Sequence, residues 1–330
     1  PNTHNYPIMT DNERHQIGIC YKEHGQESAI KLGHELINGK IKDQRIDQWS
    51  KFVKKYPKGA LYCFRGGIRS QISQEWIYEH SGVSYPRIKG GYKALRSFLI
   101  DQMARITSKK NFLVIGGQTG CGKTILLNEL DNSLDLEGFA NHRGSAFGIN
   151  VTPQPKQIDF ENQLSIELIK KEALNFLLIE DEGSNIGTIH IPEAIKRKSS
   201  ESKIVILIAP LEDRISISLQ AYVIDMNKKF NNQDPINGFE NFSNYWLNSL
   251  FKIQKRLGGA RYKSLLNQLT LALKNHNNNN DLSDYLPLIE SLLVDYYDPM
   301  YNFQISKKKE RIIFEGKHQE VTSFLQEFKP

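Results

Sequence analysis

The chain contains 330 residues, of which 39% are hydrophobic and 24% are charged, and it carries a net charge of +6. This composition excludes an intrinsically disordered chain, and the length predicts two domains that each bury a core. No run approaches the roughly 18 apolar residues of a membrane helix, and the N-terminus lacks a signal-peptide pattern, so we expect a cytoplasmic protein without a membrane partner.

The charges are distributed unevenly along the chain. Residues 1–110 contain 19 lysines and arginines against 10 acidic residues, whereas the remainder contains 24 against 27. Such asymmetry favours an anionic partner for the first third, although a solvated basic surface has the same composition. The three cysteines, Cys20, Cys63 and Cys121, form no CxxC pair and indicate neither disulfides nor structural zinc.

The first third of the chain predicts an α/β domain that is truncated at its start, because the first forty residues contain no convincing strand. A short strand is expected at residues 60–63, followed by a glycine-bearing loop and a helix from about Ser70 to the stop signal Gly82. A second helix is expected over residues 92–105. Residues 108–111 then read as a linker, so we predict domains at 1–108 and 109–330.

The second domain begins with a predicted buried strand at residues 112–115 and a helix over 123–130. Further apolar runs at residues 176–179 and 204–208, with helical stretches between them, predict a parallel α/β sheet. From about Leu211 onward the pattern predicts a helical C-terminal region. The asparagine-rich run at residues 275–280 is expected to be a loop.

Between the strand and the helix, residues 117–124 read GQTGCGKT and match the phosphate-binding pattern GxxxxGK[ST]. Backbone N–H groups of such a loop point at phosphate oxygens, and the helix N-terminus adds partial positive charge. The lysine would neutralise the outer phosphates, and the threonine could hold Mg²⁺. No purine-specificity signature accompanies the loop, so its ligand need not be a nucleotide. The predicted phosphate site consists of Gly117, Gln118, Thr119, Gly120, Cys121, Gly122, Lys123 and Thr124.

Acidic residues follow the predicted strand at 176–179, where a metal-supporting carboxylate would lie. Asp181 is the candidate and Glu180 its alternative, although a solvated acidic strand end fits the same pattern.

A second loop, residues 63–69, reads CFRGGIR and lies between a predicted strand and helix. Loop N–H groups and the helix dipole would lower the pKa of the Cys63 thiol, with Arg65 and Arg69 adding positive charge. The same loop occurs in rhodanese-type sulfurtransferases and in phosphatases that share their fold. We take these three residues as catalytic and Gly66 and Gly67 as part of the anion cradle; an inert buried cysteine is the alternative.

The order of these two loops resembles the tRNA 2-selenouridine synthase family, which joins a rhodanese domain to a P-loop domain. Further segments fit the resemblance: CYK at 20–22, GGYKALR at 90–96, DLEG at 135–138, HRGSAFG at 142–148 and YDPMY at 297–301. The family's rhodanese domain begins with a strand and an acidic-basic motif before the point where this chain starts, so those elements are expected to be absent.

The resemblance implies an enzyme that replaces sulfur by selenium in the 2-thiouridine at the tRNA wobble position. Selenophosphate and geranyl diphosphate would be co-substrates, and a geranylated thiouridine the intermediate. Cys63 would accept selenium, with Arg65 and Arg69 holding the selenophosphate oxyanion. The P-loop would hold the pyrophosphate of geranyl diphosphate, with Mg²⁺ as a candidate ion. His142 and Arg143 would add ligand contacts, although an ordinary loop fits them equally.

The implied partners are tRNA, bound near its anticodon, and an enzyme that produces selenophosphate. Lys89, Lys93 and Arg96 flank the glycine pair at residues 90 and 91 and are the candidates for the tRNA backbone; a solvated helix face is the alternative. We assign Trp246, Tyr297 and Tyr301 to the core rather than to base stacking.

Two other functions fit parts of the sequence. A rhodanese-type sulfurtransferase or phosphatase would use the Cys63 loop, with a P-loop domain that only regulates it. A nucleotide-dependent kinase or a tRNA-binding adaptor would use the P-loop and leave Cys63 silent.

Overall fold

The computed structural model describes residues 3–329, and the chain divides into two compact units between Phe98 and Leu99. The helix that contains this division runs on to Lys109, and a strand begins at Asn111. The prediction of a linker at residues 108–111 is therefore wrong, since only Lys110 lies between the end of the helix and the start of the strand. Over residues 3–329, no helix combines the length and apolar character needed to cross a bilayer.

The first unit is mainly helical, with helices α1 (Asp11–Leu36), α2 (Gly39–Lys55), α3 (Ile68–Ser81) and the first part of α4 (Gly91–Lys109). Gly25, at φ 81° and ψ −173°, breaks α1 into two segments. The strand expected at residues 60–63 is reduced to one parallel bridge between Leu61 and Arg87. A single bridged pair is too short to count as a strand, because regular ladders need several paired residues.

The helix predicted from Ser70 is confirmed, although it begins two residues earlier and ends where Gly82 adopts φ 68°. Its residue Trp76 stacks on Trp49 of α2 with ring centroids 6.3 Å apart. A small core of buried apolar side chains surrounds this pair: Ile37, Ile46, Val53, Ile77 and Tyr85.

The second unit contains a five-stranded parallel sheet in the order β2-β3-β1-β6-β7, which confirms the predicted parallel α/β arrangement. The strands are β1 (Asn111–Gly116), β2 (Ser133–Leu134), β3 (Phe176–Glu180), β6 (Lys203–Leu207) and β7 (Ile312–Gly316). A separate antiparallel pair consists of β4 (Asn185–Ile186) and β5 (Ile189–His190).

Helices cover both faces of the five-stranded sheet. They are α5 (Lys123–Asn128), α6 (Leu136–Ala140), α7 (Gln157–Lys170), α8 (Glu193–Glu201) and α16 (His318–Glu327). On one face, Phe160 and Leu164 of α7 join the buried residues of β1 and β3. On the other face, Leu126 of α5 shares a core with Val321 of α16. The strands are buried on both sides, which explains their continuous apolar sequences.

A helical region with its own core lies between β6 and β7. It contains α9 (Leu211–Leu219), α10 (Asp225–Gln233), α11 (Gly238–Lys252), α12 (Gln254–Leu257), α13 (Gly259–Asn279), α14 (Tyr285–Leu292) and α15 (Asp298–Ser306), with π-helical turns at Gln220–Ile224 and Leu293–Tyr297 and a 3₁₀ turn at Lys309–Arg311. Trp246 and Tyr297 belong to this core, as expected. The helical C-terminal region is thus confirmed, apart from β7, which the sequence pattern missed.

The loop expected at residues 275–280 is wrong, because this run forms the last turn of α13. Its residue His276 is buried, and its Nδ1 lies 3.2 Å from the Tyr285 hydroxyl. This burial holds the polar run in helical form, and Asn280, at φ 55°, ends the helix.

Candidate active site: two anion-binding loops

The P-loop joins the carboxyl end of β1 to the start of α5. Gly120 and Gly122 have φ angles of 80° and 90°, and a Cβ on Gly120 would lie 2.8 Å from the Arg214 carbonyl oxygen. Only glycine fits there, since positive φ and close backbone approach both disfavour a side chain. Lys123 closes the loop by donating from Nζ to the Gly117 carbonyl at 2.8 Å. Cys121 is buried and lies 3.9 Å from the same ammonium group.

A buried arginine of α9 fixes the outer side of this loop. Arg214 donates from Nε to the Thr119 carbonyl at 2.9 Å and from an Nη to Gln118 Oε1 at 3.1 Å. It also forms a two-point ion pair with Asp298 at 2.6 and 3.0 Å. Asp298 comes from the YDPMY segment, so this segment supports the phosphate loop. Arg214 was not predicted as part of the site, because it lies far from the loop in the sequence.

Three glutamates gather beside the P-loop threonine. Glu137, Glu180 and Glu182 each place one carboxylate oxygen within 4.8 Å of the others. Thr124 Oγ1 lies 3.1 Å from Glu180 and 3.5 Å from Glu137. The Gly144 N–H donates to the second Glu137 oxygen. Carboxylate and hydroxyl oxygens are the ligands that Mg²⁺ prefers, so this group fits a hard divalent cation.

The electrostatics of the cluster follow from its burial. Burial, reinforced by the charge of Glu137, raises the pKa of Glu180 to about 8 and that of Glu182 to about 9. Burial also raises the pKa of Glu137 itself. For Lys123, burial would lower the pKa, but Cys121 and the glutamates outweigh it and the pKa is raised overall. The cluster therefore carries protons at neutral pH unless a cation replaces them.

Asp181, which the sequence predicted as the metal-supporting carboxylate, does not belong to the cluster of three glutamates. Lys308 binds both of its oxygens at 2.6 and 2.8 Å. Of the two neighbouring acidic residues, the structure brings the alternative, Glu180, to Thr124. The strand period explains this, because consecutive side chains at the end of β3 point to opposite sides.

The loop at residues 142–148 closes against the same site. Arg143 N–H donates to the Gly148 carbonyl at 2.9 Å, and the Arg143 guanidinium lies 5.2 Å from the Tyr222 ring centre. Within residues 3–329, His142 Nδ1 and one Arg143 Nη are buried without a hydrogen-bond partner. Burial, followed by the charge of Lys252, lowers the pKa of His142. Two buried nitrogens without a hydrogen-bond partner suit an anionic or hydroxyl ligand.

In the first unit, the Cys63 loop leads into the N-terminus of α3. Cys63 Sγ lies 3.3 Å from the hydroxyl of the buried Ser70. Burial raises the pKa of the thiol, but hydrogen bonds from Ser70 and from the backbone of Arg65 and Gly67 outweigh it, so the pKa is lowered overall. Both loop arginines, Arg65 and Arg69, are exposed. The loop can therefore hold a thiolate beside a bound anion.

The glycine pair at 90 and 91 supports this loop from behind. A Cβ on Gly66, whose φ is 65°, would lie 2.6 Å from the Gly91 nitrogen, and one on Gly91 would lie 2.1 Å from the Cys63 carbonyl oxygen. The backbone N–H groups of Tyr92 and Lys93 donate to the loop carbonyls at 3.0 Å. Lys89 and Lys93 are exposed, and Arg96 is half-buried.

Comparison with known proteins gives the family. The sequence model of the tRNA 2-selenouridine synthase AAA domain matches residues 110–329. A tRNA 2-selenouridine synthase of Marinobacter nauticus is 46% identical over 98% of this chain and 89% of its own length. The chain belongs to the tRNA 2-selenouridine synthase family. Synthases of this name from Photobacterium profundum and a Sulfurovum species are 45% and 44% identical over 98% and 100% of this chain, and 90% and 91% of their own lengths.

Membership of this family makes the chain an enzyme. The domain match includes the P-loop, the three glutamates and Arg214, whereas Cys63 lies outside it and inside the stretch aligned with the full-length synthases. No solved structure matches the chain.

Proposed function

We propose that this enzyme replaces sulfur by selenium in the wobble 2-thiouridine of tRNA, through a geranylated intermediate. The observation that carries the proposal is the presence, in one chain of this family, of two anion-binding loops with different reactive groups. The first is the activated thiol of Cys63. The second is the phosphate loop with Lys123 and the glutamate cluster.

The P-loop is assigned to geranyl transfer. A carbon–sulfur bond forms between geranyl diphosphate and the thiouridine, the carbon–oxygen bond breaks, and pyrophosphate and a proton leave. Lys123 and the loop N–H groups bind the pyrophosphate. Thr124, Glu137, Glu180 and Glu182 would hold Mg²⁺, which supplies positive charge to the leaving group when it is bound.

The Cys63 loop is assigned to selenium transfer, and we propose that the first unit, which contains it, is a domain of rhodanese type preceding the P-loop domain. Geranylated thiouridine, selenophosphate and water give selenouridine, geranyl thiol and phosphate. Arg65, Arg69 and the loop N–H groups bind the oxyanion of selenophosphate next to the thiolate. Lys89, Lys93 and Arg96 contact the tRNA backbone near the anticodon.

Two substitutions separate the two steps. The protein is incubated with tRNA, selenophosphate and geranyl diphosphate, and the wobble nucleosides are quantified by mass spectrometry. Cys63→Ser should accumulate geranylated thiouridine, because serine supplies no comparable anion at neutral pH. Lys123→Ala should lower geranylation by about 100-fold or more and still convert tRNA that was geranylated beforehand. Cys20→Ser is the matched control, since Cys20 is also a half-buried free thiol.

Three results would contradict the proposal. Normal selenouridine formation by Cys63→Ser would remove Cys63 from the reaction. Loss of selenation from geranylated tRNA in Lys123→Ala would refute the division of the steps. Cys63-dependent turnover of thiosulfate or a phosphoester, with unchanged wobble uridine, would assign the chain to sulfur transfer or phosphate hydrolysis.

A further inference from the structure

An apolar groove of about 670 Å³ opens beside Cys63 within the first unit. One wall is formed by α1, and the other by the Cys63 loop and the first turns of α3. Apolar side chains line most of it, among them Ile17, Tyr21, Ile30, Phe64, Ile68 and Ile72. This volume lies within the range of about 300–1,000 Å³ that is typical of small-molecule sites.

Charged and reactive groups also line the groove. Cys63, Arg65, Arg69 and Arg14 belong to its lining. Its ligand is therefore expected to combine an apolar body with an anionic end that lies next to the thiol.

Two aromatic residues at the groove remain largely exposed. Tyr21 and Phe64 keep 56% and 55% of their surface accessible, although both line an apolar groove. On the α1 wall, a Cβ added to Gly18 would meet no atom within 4 Å. The groove thus offers apolar surface and free space together, as expected for a site that receives a ligand.

We propose that this groove binds the geranyl chain of the geranylated thiouridine while selenium is transferred, an inference that rests on the proposed function. The geranyl group is a branched apolar chain attached to the sulfur that must leave. Binding it in the groove places C2 of the uridine beside Cys63, and the arginines of the lining are complementary to selenophosphate and to the RNA backbone. Geranylation then supplies binding energy for the second step as well as a better leaving group.

The test compares two RNA substrates in the selenation reaction of the full chain. One carries S-geranyl-2-thiouridine and the other S-methyl-2-thiouridine at the wobble position, both with selenophosphate. Gly18→Leu fills the groove, and Tyr21→Ala removes part of its wall. Tyr78→Ala is the matched control, because Tyr78 is 59% exposed in the same unit and does not line the groove.

Gly18→Leu and Tyr21→Ala should each raise KM for the geranylated RNA by about 15-fold. This factor corresponds to two carbon groups of the geranyl chain that are no longer buried, at a loss of roughly 0.8 kcal/mol of binding free energy for each. Their KM for the methylated RNA should stay within about twofold of wild type, which also shows that both variants fold. Tyr78→Ala should change neither value. In wild type, the geranylated RNA should have the lower KM.

Other results identify different failures. Equal KM changes for both RNAs, or no preference in wild type, would overturn the groove assignment and leave the proposed function intact. A wild-type enzyme that converts neither RNA would refute the proposed function itself. A Gly18→Leu protein with altered sedimentation and unaltered kinetics would assign the groove to contacts between copies of the chain.

Discussion

Asp298→Ala should destabilise the second unit through Arg214. The Arg214 side chain is 4% exposed, and Asp298, 16% exposed, accepts two of its hydrogen bonds. Removing one partner of a buried ion pair leaves an uncompensated charge and costs about 3–5 kcal/mol. In a unit of this size each kcal/mol lowers Tm by about 2–4 °C, so we expect a decrease of roughly 6–20 °C. Because Arg214 also holds the Thr119 carbonyl, the affinity of the loop for geranyl diphosphate, its proposed ligand, should fall as well.

Thermal unfolding followed by circular dichroism measures the effect on Tm, and calorimetric titration measures ligand affinity. Asp295→Ala is the control, since Asp295 is exposed and lies one turn earlier. Asp298→Asn keeps an acceptor for Arg214 and should lose less stability than the alanine variant. A Tm for Asp298→Ala that equals the Tm of the Asp295→Ala control would refute the argument that the ion pair holds the loop in place.

Three further predictions concern the charged groups. Ser70→Ala should raise the pKa of Cys63 and slow its alkylation at neutral pH, measured by peptide mass spectrometry; an unchanged pH profile would contradict the role of Ser70. Glu180 has a pKa raised from 4.5 to about 8, so without divalent cations stability should fall as pH rises through this interval, and Glu180→Gln, which stays neutral, should flatten the Tm profile. If wild type and Glu180→Gln have the same dependence of Tm on pH, Glu180 is not the source of that dependence. The third variant replaces Lys89, Lys93 and Arg96 by alanine. In a plot of log tRNA affinity against log salt concentration, each lost phosphate contact should flatten the slope by up to about one unit, and an unchanged slope would exclude these residues from the interface.

The sequence predicted those parts of the fold that depend on residues close together in the chain. The P-loop has a fixed spacing between an apolar strand and a helix, and the structure places that sequence there. The stop at Gly82 follows from the left-handed conformation that glycine tolerates. By contrast, the strand β7 alternates half-buried and exposed residues over a short stretch, and its partner β6 lies far earlier in the chain. Sequence periodicity alone does not reveal such a pairing.

In the candidate sites, likewise, residues adjacent in sequence were predicted and residues brought together by packing were not. The loop of Cys63 was predicted because its glycines, arginine and cysteine are adjacent in sequence. Glu137 was not predicted as a partner of Thr124, because the two meet only through the packing of α6 near the end of β3. Selection of Asp181 over Glu180 depended on which side of a strand end each carboxylate occupies, and Lys308, its actual partner, lies in a distant part of the chain. The groove beside Cys63 likewise results from packing between separate helices.

The position of β7 has a consequence for synthesis of the protein. β7 pairs in parallel with β6, Ile204 facing Ile312, and the whole helical region separates them. Val321 and Leu325 of α16 then complete the core under the P-loop helix. A nascent chain that has already emerged with its entire phosphate-binding sequence therefore still has an open sheet edge and an unfinished core. The core under the P-loop helix is completed only after α16 leaves the ribosome, and a chain released before β7 would present the β6 edge to other molecules.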